Sequence, residues 1–144
     1  MSVSYKTMLR ERIRTLSEKI HPGIVQARRH LHAYPELSFQ ENETAEFIKG
    51  QLNEIGIPWS SLAGTGIVAL LKGNLQSDNV IALRADIDAL PIHEKNVVEY
   101  ASRNPGVMHA CGHDFHTASL LGTAQILQSM RDSFGGHIKL IFQP

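Results

Sequence analysis

Apolar and polar positions follow two different periods along this chain. Between residues 5 and 19, Met8, Leu9, Ile13 and Leu16 recur at helical spacing with charges between them, which predicts an amphipathic helix. Pro22 suits the first turn of a second helical run, IVQARRHLHAY, and Pro35 ends it. A third helix is predicted over 41–55, where Ala45, Phe47, Ile48, Leu52 and Ile55 share a face and Gly56 closes the end. The period then shortens. IVALLKG and VIALRADI are brief and rich in branched apolar residues, as strands are. The turn-rich link GNLQSDN is too short for a crossover helix, so these two strands are expected to pair as an antiparallel hairpin. Residues 94–110 have no clean period. From HACGHDFH a helix runs to about Met130, the turn DSFGG follows, and HIKLIF makes the last strand. Met8, Phe39 and Phe47 are expected in the core.

Strand, helix, strand in that order implies a right-handed crossover between parallel neighbours. In open α/β sheets, sites form beyond the carboxyl ends of strands, near helix N-termini. Asp86 and Asp88 lie at the end of one strand, Gln143 and Pro144 at the end of another, and the histidine-rich octet opens the helix between them. Three separate stretches therefore converge on one edge.

Composition narrows the classes. A chain of 144 residues suits one domain with a sizeable core, and 42% apolar with 19% charged residues is ordinary for a soluble globular protein. Fourteen basic side chains balance fourteen acidic ones, so nothing steers the chain toward nucleic acid or an anionic membrane. No apolar run approaches the roughly 20 residues of a membrane span, and MSVSYKTMLRERIRTL lacks the features of a secretory signal. The single cysteine makes no internal disulfide, compatible with a reducing, cytoplasmic location. Near-zero net charge does little to oppose self-association.

The octet at 109–116 holds three histidines, an aspartate and that cysteine. Cys111 and His113 are spaced as ligands on a turning segment before a helix, where the dipole or a metal favours thiolate. Imidazole and thiolate suit zinc and related divalent ions. Asp114 offers a further oxygen or a hold on His113; His109 and His116 are near enough to contribute, though spacing does not place them. The plainer alternative is a small buried cysteine among capping or surface histidines. Asp86 and Asp88 either hold a ligand histidine in its correct tautomer or cap a strand end. Arg84 has no lone pair to give a metal and is suited to pairing with a carboxylate. Glu36 touches a substrate or simply ends a helix.

The blocks RRHLHAYPELSFQE, GTGIVALLKG, ALRADIDALPI, MHACGHDFHTASLLG and IKLIFQP together resemble the dimetal amidohydrolases. That group contains hippurate hydrolase, N-acyl-amino-acid amidohydrolases, aminobenzoyl-glutamate hydrolase and the plant hydrolases of indole-acetyl-amino acids, within the wider aminoacylase and carboxypeptidase-like peptidases. The resemblance runs from about residue 24 to the end. It implies a three-layer α/β/α zinc-peptidase-like catalytic domain, truncated, with a mixed sheet formed by an antiparallel hairpin and a parallel βαβ crossover. It implies metal-dependent hydrolysis of the amide bond of N-acyl amino acids at two divalent ions, zinc or manganese, which lower the pKa of a shared water from about 15.7 toward 7. Cys111 and His113 match two of the family's metal ligands. Asp86 matches the aspartate that elsewhere backs a metal-bound histidine; that histidine's position is Arg84 here, so Asp86 is carried over as an outer partner, with Asp114 less defined.

By the same resemblance, the general base is a glutamate just after Pro144, followed by further ligands and a lid and dimerisation domain. Residues 1–144 are thus expected to be the N-terminal part of a metallohydrolase catalytic domain, without a catalytic base, inactive alone and binding metal weakly or not at all. The expected partners are a small N-acyl amino acid and a second copy of the chain, with neither nucleic acid nor membrane. Two alternatives stay open: a hydrolase with Cys111 as nucleophile, and a non-catalytic interaction module on the same scaffold.

Overall fold

The computed structural model describes residues 4–144. The elements run α1 (Tyr5–Ala33), α2 (Asn42–Glu54), β1 (Trp59–Leu62), β2 (Gly66–Lys72), β3 (Leu75–Asp86), α3 (His113–Ser129) and β4 (Gly135–Gln143), with a 3₁₀ turn at Arg131–Ser133. The strands form one mixed sheet in the order β1-β2-β4-β3.

The first two predicted helices are one. α1 passes through Pro22 without ending. A proline inside a helix removes one hydrogen bond, and here packing along α3 offsets that loss. Ile20 and Ile24 lie against Gly122, where the missing side chain lets the helices approach. Further back, Arg12 donates to the Ser129 carbonyl at the α3 C-terminus at 2.9 Å, satisfying a group that a helix end leaves free. α2 begins where expected, and its cap is Glu36: the carboxylate accepts the Glu43 and Thr44 N–H groups at 3.2 and 2.8 Å.

The expected pairing of β2 with β3 does not occur. β4 lies between them, antiparallel to β2 and parallel to β3. Two residues, Gly73 and Asn74, carry the chain past β4. Three Cα steps of about 3.8 Å cover two strand spacings of about 4.8 Å, so a short link does not require a hairpin. The antiparallel hairpin is instead β1 with β2, and the mostly exposed WSSL of β1 carries no apolar alternation to mark it as a strand. The parallel crossover through α3 is as expected. Opposite the irregular pairing of β3 between Leu75 and Val80, Gly136 takes φ +80°, and a side chain there would run into the Asn79 carbonyl.

One face of the sheet carries the core. Ile67, Ala69 and Leu71 of β2 and Ile138, Leu140 and Phe142 of β4 pack with Ile48 and Leu52 of α2 and with Leu120, Leu121 and Ala124 of α3. Each large side chain so buried contributes about 1.5–3 kcal/mol. The other face, with Leu70, Lys139 and Arg84, is exposed, so two of the three expected layers are present among the described residues. Phe47 packs partly on the core, whereas Met8 and Phe39, expected inside, are exposed. Phe39 lies in the α1–α2 turn at φ 61°, a left-handed conformation.

Candidate metal centre

The carboxyl end of β3 meets the N-terminus of α3 where their sequences lead. Ile87 N–H donates to the Gln143 carbonyl at 3.0 Å, and Thr117 Oγ1 donates to the Asp86 carbonyl at 2.9 Å. These bonds lock the strand end against the helix that starts at His113. Asp86 Oδ2 then lies 3.4 Å from His113 Nε2 and 3.8 Å from His116 Nδ1. The three side chains bring one ligand atom each within 4.8 Å of one another. The other oxygen, Asp86 Oδ1, is ion-paired with Arg84 Nη2 at 2.5 Å. The Arg84 Nε–H is spent on Gln143 Oε1 at 2.6 Å.

On the other side of the His113 ring, Nδ1 faces both the Asp88 carboxylate Oδ1 at 2.8 Å and the Asp88 carbonyl at 3.0 Å. The second carboxylate oxygen accepts the Ser38 hydroxyl at 2.6 Å. Burial by itself would push the Asp88 carboxyl up. The hydrogen bonds from Ser38 and His113, with the charge of His113, outweigh it and hold the group below its ordinary range.

The sequence pairs Cys111 and His113 as ligands. His113 belongs to the three-residue group; Cys111 is exposed and does not. Gly112 between them, at the N-cap position of α3, takes φ 82° and ψ 18°, a left-handed conformation that glycine adopts without steric cost.

Asp114 faces away from that group. It is fully buried, with Oδ2 at 2.8 Å from Arg28 Nε and 2.7 Å from His32 Nδ1. His32 Nε2 meets Glu94 Oε1 at 3.1 Å. Glu94 also accepts the Ser102 N–H at 2.6 Å and the Asn96 amide at 3.1 Å. Burial alone would raise the Glu94 carboxyl, yet these bonds and that to His32 bring it below its usual value. His109 is also buried, with no hydrogen-bond partner for either ring nitrogen among the described residues. Its pKa is pushed down to about 4, first by burial and further by the charges of His32 and His113, against the opposing pull of Asp114 and Asp88.

Sequence reasoning singled out Asp86, Asp88, His113, His116 and Asp114 but passed over Ser38, Arg28, His32 and Glu94. The available signal was Arg28 and His32, four apart on one helix face. Nothing in the local pattern around Glu94 marks it, since its partners come from elsewhere in the fold.

Residues 82–144 match the profile of Peptidase family M20/M25/M40. The chain is 50% identical over 137 residues to an N-acyl-L-amino acid amidohydrolase of Geobacillus stearothermophilus, a match covering 94% of the chain and 37% of the relative. It is 51% identical over 141 residues to an N-acetyl-L-cysteine deacetylase of Bacillus subtilis, across 92% of the chain and 34% of the relative. Among solved structures, it is similar to the Bacillus subtilis YXEP protein, described as a dinuclear metal-binding peptidase of the M20 family. That likeness has TM-score 0.84 and 47% identity, over 88% of the chain and 36% of the other. The chain thus spans about a third of the length of the relatives it matches.

Proposed function

The chain belongs to peptidase family M20/M25/M40, and from that premise we propose that the whole protein hydrolyses the amide bond of N-acyl amino acids with divalent metal ions held at this edge. The observation that carries the reading is the convergence of Asp86, His113 and His116, with Asp86 Oδ2 facing both imidazoles. His113 Nδ1 abuts two acceptors of Asp88. Its proton therefore belongs there, and in the neutral ring Nε2 turns a lone pair toward the Asp86 carboxylate. Lone pair against lone pair asks for a cation between them. Nitrogen and oxygen donors, with a thiol two residues from His113, suit zinc or manganese. The residues fit the group.

Bound divalent ions would polarise the scissile carbonyl and acidify water. We assign the holding role to His113 through Nε2 and to Cys111 as thiolate, with Asp86 beside them and Asp114 bracing the helix that carries His113. Arg84 and Gln143 keep Asp86 at the strand end. The base that moves the proton from water to the departing amine is assigned, by family resemblance, to a glutamate beyond Pro144. The names of the relatives support an N-acyl amino acid, short acyl groups included, as substrate.

The whole protein should hydrolyse members of an N-acyl amino acid panel, lose activity on chelation and regain it with zinc or manganese. The 144-residue chain alone should show no turnover. Activity that survives chelation and falls to thiol alkylation would replace this reading with a Cys111 nucleophile.

A further inference from the structure

Resting on that metal reading, we infer that Asp88, braced by Ser38, is the positioning residue that sets the tautomer and direction of the His113 ring. Family resemblance points to Asp86 for backing a metal-bound histidine, but the geometry divides the two carboxylates differently. Asp86 lies on the Nε2 side of His113 at 3.4 Å, where a ligand's cation would sit. Asp88 lies on the Nδ1 side, and presents two acceptors there, its own carboxylate and its own carbonyl. Two acceptors around one nitrogen admit only a protonated Nδ1. The neutral ring then carries no proton on Nε2, the form a metal needs.

Ser38 makes this arrangement rigid. Asp88 follows the end of β3, and its backbone is held on either side by the Ile87 N–H bond to Gln143 and the Ala89 N–H bond to Glu36. Its carboxylate is free to rotate unless both oxygens are engaged. The Ser38 hydroxyl engages Oδ2 at 2.6 Å and leaves Oδ1 for His113. Ser38 itself is fixed by its neighbours: Glu36 caps α2, the Glu36 carbonyl accepts the Ala89 N–H at 2.7 Å, and Leu37 bridges Ala89. The α1–α2 turn thereby reaches a ligand from a segment some seventy-five positions away in sequence. Outer partners of ligating histidines are worth roughly 10–100-fold in metal affinity.

The test uses the whole protein, stripped of metal and labelled with ¹⁵N-histidine, with the His113 signals identified by loss in His113→Gln. Unsubstituted protein should show His113 with its proton on Nδ1. Asp88→Asn, whose amide can donate toward Nδ1, should shift the ring to the Nε2-protonated form and weaken Co²⁺ binding by about 10–100-fold. Ser38→Ala should give a smaller shift in both readouts, and Ser38→Thr should restore them. Circular dichroism reports folding; if Asp88→Asn fails to fold, the exposed Ser38→Ala decides. An unchanged tautomer and unchanged Co²⁺ affinity in a folded variant would overturn the inference. Failure of the unsubstituted protein to bind Co²⁺ would instead sink the metal reading, while the tautomer spectrum still decides the role of Asp88.

Discussion

His32 Nδ1 stands 2.7 Å from Asp114 Oδ2, tying the last turn of α1 to the first turn of α3. Asp114 follows His113 directly, so this buried contact fixes the helix end that presents the candidate ligand. Each nitrogen of His32 faces a carboxylate, and Asp114 is also ion-paired with Arg28. Among the described residues, this cluster lies outside the group formed by Asp86, His113 and His116.

Removing Asp114 should therefore cost stability before it costs chemistry. Asp114→Ala leaves His32 and Arg28 without their common acceptor, and breaking a buried pair in this way costs about 3–5 kcal/mol. Arg28 is partly exposed and can recover water, which favours the lower end. Urea unfolding of Asp114→Ala and His32→Gln, singly and together, measures it; additive losses would mean that the 2.7 Å contact carries no coupling.

Acid should weaken the same cluster through Glu94. Its folded-state pKa lies below the ordinary value of 4.5, so the folded state holds its proton less tightly than the unfolded chain. The resulting stability is fully present above the unfolded pKa and is lost as pH falls through the folded one. The urea midpoint of the unsubstituted chain should exceed that of Glu94→Gln at neutral pH, and the gap should narrow below about pH 4.5. A gap independent of pH would refute it.

β3 is an edge strand whose Val80 and Ile81 are 62% and 58% exposed. Beside it, Leu9, Ile13, Ile126, Met130 and Phe134 line an apolar cleft of about 530 Å³. An open edge next to apolar surface invites another strand. Sedimentation of the 144-residue chain should show concentration-dependent self-association, and Val80→Lys with Ile81→Lys should reduce it. A strictly monomeric profile would count against this expectation.

Helix and strand positions were legible where one periodic face met the core, as with Ile48 and Leu52 in α2 or Ile138, Leu140 and Phe142 in β4. Capping residues and branched apolar runs act over a few neighbours, so adjacent positions carry their signal. The meeting of Asp86 with the histidine octet was legible for a related reason: strand ends and helix starts converge in a parallel crossover. Pairing order was not, because a two-residue link permits either a hairpin or a passage around β4, and only competition among strands for the central place decides. Nor could spacing show that His113 would turn to Asp88 while its neighbour Asp114 turns to His32 and Arg28 of α1. Adjacent side chains on a helix diverge by about 100°, and which partner each finds depends on α1 and the α1–α2 turn folding back across the sheet. Local chemistry is written in the sequence, but the direction in which each side chain spends it is set by contacts distant along the chain.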